Sequence, residues 1–153
     1  MSAPDIPAGG PILGLDVGER RIGVACSDPT GTLASPWMVI RRGSRAEDFT
    51  ALARLVQERR AVAVVVGHPL NMNGSEGPQA RRVARYARAL AERLAIPVVL
   101  WDERLSTEIA LEKRRLVKTP RCPAPVDAEA AAVILQDYLD ARKSLCPESS
   151  ATS

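Results

Sequence analysis

The chain has 153 residues, 46% of them hydrophobic and 25% charged, with a formal net charge of +3 and only 3% aromatics. These values describe one ordinary globular domain whose core is built from Val, Leu, Ile and Ala, which favours an α/β fold over an aromatic-rich β-sandwich. No apolar run approaches the roughly 18 residues a membrane helix needs, so no membrane partner is expected. Cys26, Cys122 and Cys146 form no CxxC pair, which argues against a disulfide framework or a zinc site. The N-terminus lacks the basic and apolar regions of a signal peptide, and the expected location is cytoplasmic. The small basic excess is compatible with a nucleic-acid partner.

Residues 1–10 contain Pro4, Pro7 and Gly9-Gly10 and read as a flexible lead-in, followed by a single domain over 11–143. Ile12-Leu13-Gly14-Leu15-Asp16-Val17-Gly18 is a short apolar run bounded by glycines, the pattern of a buried strand. Asp16 near its end is the anomaly, because an ionised acid in such a strand must be paired, hydrogen-bonded or bound to a metal. Arg20-Arg21 leads into a second strand over about Arg21 to Ser27, and Asp28-Pro29-Thr30-Gly31 is a turn. A third strand runs from Leu33 to about Arg41, placed at a sheet edge by Pro36.

Ser44-Arg45-Ala46-Glu47 is a capping box, with Phe49, Leu52, Ala53 and Val56 as the buried stripe of the helix it opens. Ala61 to Val66 reads as a parallel strand covered on both faces. The loop from Gly67 to Gly77 holds His68, the single histidine. For it, a surface or core role is weighed above general acid chemistry. Pro78 opens a helix that buries Val83, Tyr86, Ala87, Leu90 and Leu94 and leaves Arg81, Arg82, Arg85, Arg88 and Arg93 largely outside. Ile96 to Trp101 is the next strand, with Asp102-Glu103-Arg104 just past it. Ser106 or Thr107 can cap a short helix, and Lys113-Arg114-Arg115, Lys118 and Arg121 form a basic stretch. Asp127 begins the last helix, with Ala130, Ala131, Ile134, Leu135 and Tyr138 on its apolar side. Residues 144–153 are Ser-rich and expected to be a disordered tail. The order βββαβαβαα predicts a mixed five-stranded sheet with helices on both faces.

Three acidic positions therefore stand at element ends: Asp16, Asp102-Glu103 and Asp127. Taken singly, Asp127 reads as a helix cap and Asp102-Glu103 as a solvated turn. Brought to one rim, clustered carboxylates repel one another unless a divalent cation joins them, and Mg²⁺ and Mn²⁺ prefer such hard oxygen donors. Two such ions activate water and stabilise the leaving oxygen of a phosphodiester.

Four blocks carry a family resemblance. They are Gly14 to Ala25 (GLDVGERRIGVA), Val66 to Gly77 (VGHPLNMNGSEG), Asp102 to Thr107 (DERLST) and Val126 to Leu139 (VDAEAAAVILQDYL). In order and spacing the chain resembles the YqgF/RuvX family of RNase H-like nucleases, whose members are described as Holliday junction resolvases or pre-16S rRNA nucleases. The resemblance implies an RNase H-like fold and a metal-dependent phosphodiesterase site. Its ligands would be Asp16, Glu103 and Asp127, with Asp102 as a fourth catalytic candidate and Mg²⁺ or Mn²⁺ as cofactor. The related resolvases end their fourth strand in a glutamate where this chain has Gly67-His68, so the second acid is expected from Asp102-Glu103. They also carry an acid three residues before the last one, where this chain has Ala124.

Arg20, Arg21 and Arg104 are the expected phosphate-binding residues, and the 113–121 stretch is a candidate clamp. The backbone amides of the 67–77 loop are a further candidate phosphate site, with plain turn chemistry as the alternative. The expected function is processing of the 5′ end of pre-16S rRNA by a monomer or homodimer. Resolution of branched DNA is the alternative, and a non-catalytic nucleic-acid scaffold is a weaker one. A sugar-kinase-like or actin-like ATPase, which would share the Asp-Val-Gly turn, needs a duplicated module for which 153 residues leave no room.

Overall fold

The computed structural model describes residues 9–102 and 126–145. Glu103, Arg104, the short helix expected near Ser106 or Thr107, the 113–121 basic stretch, Cys122 and most of both expected tails lie outside the described residues. The elements are β1 (Ile12–Val17), β2 (Arg21–Ser27), β3 (Ala34–Arg41), α1 (Arg45–Arg59), β4 (Ala63–His68), α2 (Pro78–Arg93), β5 (Val98–Asp102) and α3 (Val126–Leu145). The strands form one mixed sheet in the order β3-β2-β1-β4-β5. It is antiparallel through β1–β2–β3 and parallel through β1–β4–β5.

The Asp16 strand is thus the middle of the sheet, and its alternation divides the molecule. Leu13, Leu15 and Val17 face a core shared with Phe49, Leu52 and Leu55 of α1 and Val83, Tyr86, Ala87 and Leu90 of α2. Ile12 faces the other way, into a core with Ala25, Ala63 and Val65 and with Ala131, Ala132, Ile134, Leu135 and Leu139 of α3. Burying each Leu or Ile of these layers contributes about 1.5–3 kcal/mol. Alternation therefore turns Gly14 and Asp16 toward α3.

Local chemistry explains the boundaries. The Ser44 capping box forms, with Glu47 N–H donating to Ser44 Oγ (3.1 Å) and Ser44 N–H to Glu47 Oε1 (3.0 Å). α1 buries Asp48 and Leu55 beside Phe49 and Leu52, while Ala53 and Val56 are only half-buried. β4 starts two residues later than its apolar run, because Ala61 N–H closes the helix exit onto Val56 O (2.9 Å) and pairing with β1 begins at Ile12–Ala63. β5 starts at Val98, since Pro97 has no N–H to give to a ladder. It runs through Asp102, paired with His68, so that acid lies inside the strand rather than after it. At the edge, Trp37 is the bulged residue, because Val24 pairs with Met38 and Ala25 with Pro36.

α3 buries Ala128, Ala131, Ala132, Ile134, Leu135 and Leu139, a wider face than the stripe expected, and leaves Ala130 and Tyr138 half-buried. The Tyr138 ring instead meets Trp101 edge-on at 5.4 Å.

Candidate active site

α3 is seated on glycine. A Cβ at Gly14 would lie 2.7 Å from Leu135 Cβ, and one at Gly23 would lie 1.8 Å from the Asp127 carbonyl oxygen. Only hydrogen at these two positions lets the helix come this close. Because Gly23 is the register partner of Asp16, the same close approach brings the first turn of α3 to the carboxylate of β1. Asp16 and Asp127 thereby share one face of the sheet.

Their electrostatics agree. The Asp16 carboxyl is pushed above the ordinary aspartate range, first by burial and then by the charge of Asp127. Arg21 lies two residues before Gly23 and on the same face, with its Nε 3.7 Å from Asp127 Oδ2. Its side chain is 66% exposed and that of Asp127 39% exposed, so the acid pair opens to water. Arg20 is exposed at the same turn, which is closed by Gly18 N–H donating to Arg21 O (2.9 Å).

The remaining candidates are distributed differently. Trp101 faces α3 with Asp16, and its indole N–H donates to Asp137 Oδ2 (2.6 Å), fastening the end of β5 to that helix. Alternation puts Asp102, with Leu100, on the opposite face of the sheet. The structure thus brings Asp16, Asp127 and Arg21 together and does not bring Asp102 to them. Glu103 and Arg104 lie outside the described residues. Among the described residues no cluster of three or more His, Cys, Asp or Glu side chains is placed to hold a metal ion.

His68 is half-buried, with Nε2 3.0 Å from Glu76 Oε2. In the loop after it, Asn71 N–H donates to Ser75 O, Gly74 N–H to Asn71 O and Ser75 N–H to Asn73 Oδ1. Those amides are occupied within the loop, which is turn chemistry rather than a ready phosphate cradle. Sequence reasoning missed the Trp101–Asp137 fastening, for which the sequence offers no local signal. It also missed a buried cluster at Asp48, whose only sign was an acid directly before Phe49 and four residues before Leu52.

The model of a family described as "Holliday junction resolvase", RuvX, matches residues 10–141. A Gloeobacter violaceus protein named "Putative pre-16S rRNA nuclease" is 47% identical over 132 residues, 86% of this chain and 85% of that protein. One of the same name from Chloroflexus aggregans is 50% identical over 135 residues, 86% of this chain and 94% of that protein. Thermus thermophilus RuvC bound to a Holliday junction superposes with a TM-score of 0.60 at 16% identity, covering 87% of this chain and 95% of that one. That likeness is one of fold, and with the mixed sheet it establishes the RNase H-like architecture. No described helix is long and apolar enough to cross a membrane. By the match along nearly its whole folded length, this chain belongs to the RuvX family.

Proposed function

We propose that the chain is a metal-dependent nuclease that hydrolyses phosphodiester bonds in structured RNA, at the 5′ end of pre-16S rRNA. The observation that carries this reading is the meeting of Asp16 and Asp127 on one face at an open mouth. The names of the relatives support the substrate class.

The donor set fits Mg²⁺ or Mn²⁺: two carboxylates on one face, with Asp16 held above its ordinary range by burial and then by the Asp127 charge, are satisfied by a hard divalent cation. Such a cation, when bound, acidifies water and neutralises charge developing on the phosphoryl oxygens. Asp16 and Asp127 hold it. With Trp101 toward α3 and Asp102 away, the third ligand proposed is Glu103, on the likeness of the Asp102-Glu103-Arg104 block to the family's. Arg21 restrains Asp127, and with Arg20 it offers guanidinium N–H groups to the phosphates flanking the cut. Arg104 is proposed to do the same.

The test uses the purified full chain, a labelled precursor rRNA fragment and a labelled four-way DNA junction, with and without Mg²⁺ or Mn²⁺. Cation-dependent cutting of the RNA is expected, lost in a folded Asp16→Asn variant. Undiminished cutting by that variant sinks the assignment. The family description favours one other reading, junction resolution. Symmetric cuts in the junction with intact RNA would establish it, and would require a homodimer.

A further inference from the structure

On the sheet face opposite the acid pair, where β1 ends and α1 and α2 begin, lies a cleft of about 390 Å³. Gly18 and Glu19 form one rim, and Arg42, Arg45, Arg82 and Arg85 converge on it around Tyr86. Four guanidinium groups in one small cleft repel one another, so the question is what balances them.

Arg42 is accounted for. Its Nη1 donates to Gly18 O (2.9 Å), its Nε lies 3.5 Å from Asp48 Oδ2, and its guanidinium sits 4.8 Å over the Tyr86 ring. Asp48 is 2% exposed and also accepts from Tyr86 OH (3.1 Å) and Gly43 N–H (2.9 Å). Its charge is thus committed to the floor of the cleft. Arg82 has Glu19 at 3.9 Å, but both side chains are more than 60% exposed, and such pairs contribute little. Among the described residues, Arg45 and Arg85 have no carboxylate within 4 Å. The first turn of α2 adds to the same sign. Its N-cap, Gly77, provides no side-chain cap and no acid stands in the first turn, while Arg81 stands where the helix dipole favours anions.

We propose that this cleft seats a phosphate of the nucleic-acid backbone remote from the bond being cut. The inference rests on the nuclease reading and extends it to where the substrate runs. A polymer fits better than a free nucleotide. The walls are largely exposed guanidinium groups, and the apolar residues lining the cleft, Val17, Val83 and Tyr86, are buried in the core, leaving little surface for a base. Location agrees, since the Gly18–Arg21 turn separates cleft from acid pair and presents Arg20 and Arg21 between them. A strand crossing this turn meets Arg20 and Arg21, with Glu19, held near Arg82, as the acid at the rim.

The test compares Arg45→Gln/Arg85→Gln with Arg54→Gln/Arg93→Gln, which removes equal charge from exposed helix positions outside the cleft. Binding of a fluorescent structured RNA to the full chain is followed by anisotropy across a salt series. The cleft pair is expected to weaken binding about tenfold and to flatten the plot of log K against log salt by about 0.7, the value for one lost single-strand phosphate contact. The control pair is expected to change neither appreciably. Equal behaviour of the two pairs overturns the proposal, as does failure of the unaltered chain to bind RNA. Titration with a nucleoside monophosphate separates the sources. Nucleotide shifts at the cleft with unaltered RNA affinity in the cleft pair would also overturn it. If the cleft pair unfolds, Arg85→Gln alone carries the comparison, with a smaller loss of affinity against Arg93→Gln. The nuclease reading fails separately, through cutting by Asp16→Asn or no cutting at all, with the cleft effect on RNA binding intact.

Discussion

Gly23 of β2 and Asp127 of α3 touch backbone to backbone: a Cβ at position 23 would stand 1.8 Å from the Asp127 carbonyl oxygen and 2.3 Å from its carbon. No rotamer relieves such a contact, so the helix must move. Gly23→Ala is therefore expected to cost about 1–3 kcal/mol, the usual range for overpacking, and to carry Asp127 away from Asp16. Urea denaturation reads the first effect. A cleavage assay reads the second, as a loss of activity that persists at temperatures where the variant is folded.

Asp16 is held against its own charge by burial and by Asp127. Asp16→Asn is thus expected to raise the Tm of the metal-free protein, the opposite of what loss of a structural acid does. Mn²⁺ should raise the Tm of the unaltered chain, by about 2.7 kcal/mol of added stability at a hundredfold excess over Kd, and should leave that of Asp16→Asn nearly unmoved. Thermal melts with EDTA and with Mn²⁺ check both.

Asp48 balances Arg42 beneath the cleft and accepts the Tyr86 hydroxyl. Burial, and then the Asp48 charge, push the Tyr86 phenol far above its ordinary range, so it stays a donor throughout the usable pH scale. Tyr86→Phe is expected to cost about 1.5–3 kcal/mol, one hydrogen bond to a charged acceptor. Asp48→Ala should cost about 3 kcal/mol or more, because it strands the Arg42 cation. Chemical denaturation of the two variants tests the order.

Asp28 organises the β2–β3 turn. Its carboxylate accepts the Thr30 hydroxyl and the N–H groups of Thr32 (2.8 Å) and Leu33 (3.0 Å), and Gly31 supplies the positive φ of 71° that the turn needs. Those bonds, that of Thr30 first, lower its pKa from 3.8 to about 2. A folded pKa below the unfolded one contributes stability that is complete above about pH 4 and is lost as pH falls through about 2. An NMR titration of the Asp28 side chain should show this late protonation. A midpoint near 4 would remove the carboxylate from the turn.

The amino-acid sequence by itself determined the order of the described elements, the Ser44 capping box, the edge position of the Pro36 strand and the acids at positions 16 and 127. Each is written in local pattern: period-2 apolar runs, a Ser-x-x-Glu signal, a proline without its N–H, a carboxylate where neighbours are apolar. The family blocks add the rest of the expected site, of which Glu103 and Arg104 lie outside the described residues. Only the tertiary structure decided which acids share a face. Asp102 belongs to β5 and faces away from Asp16, because parallel pairing with His68 extends the strand by a residue that its apolar run does not include. It also decided the fate of the α2 arginines. Sequence periodicity sends all five outward alike, yet the packing of α2 beside the ends of β1 and α1 turns Arg82 and Arg85 into a cleft with Arg42 and Arg45. Charge at a helix surface is local information. Convergence of charge depends on how separate elements pack, here through Val17, Phe49, Leu52, Val83 and Tyr86 between the sheet and the two helices.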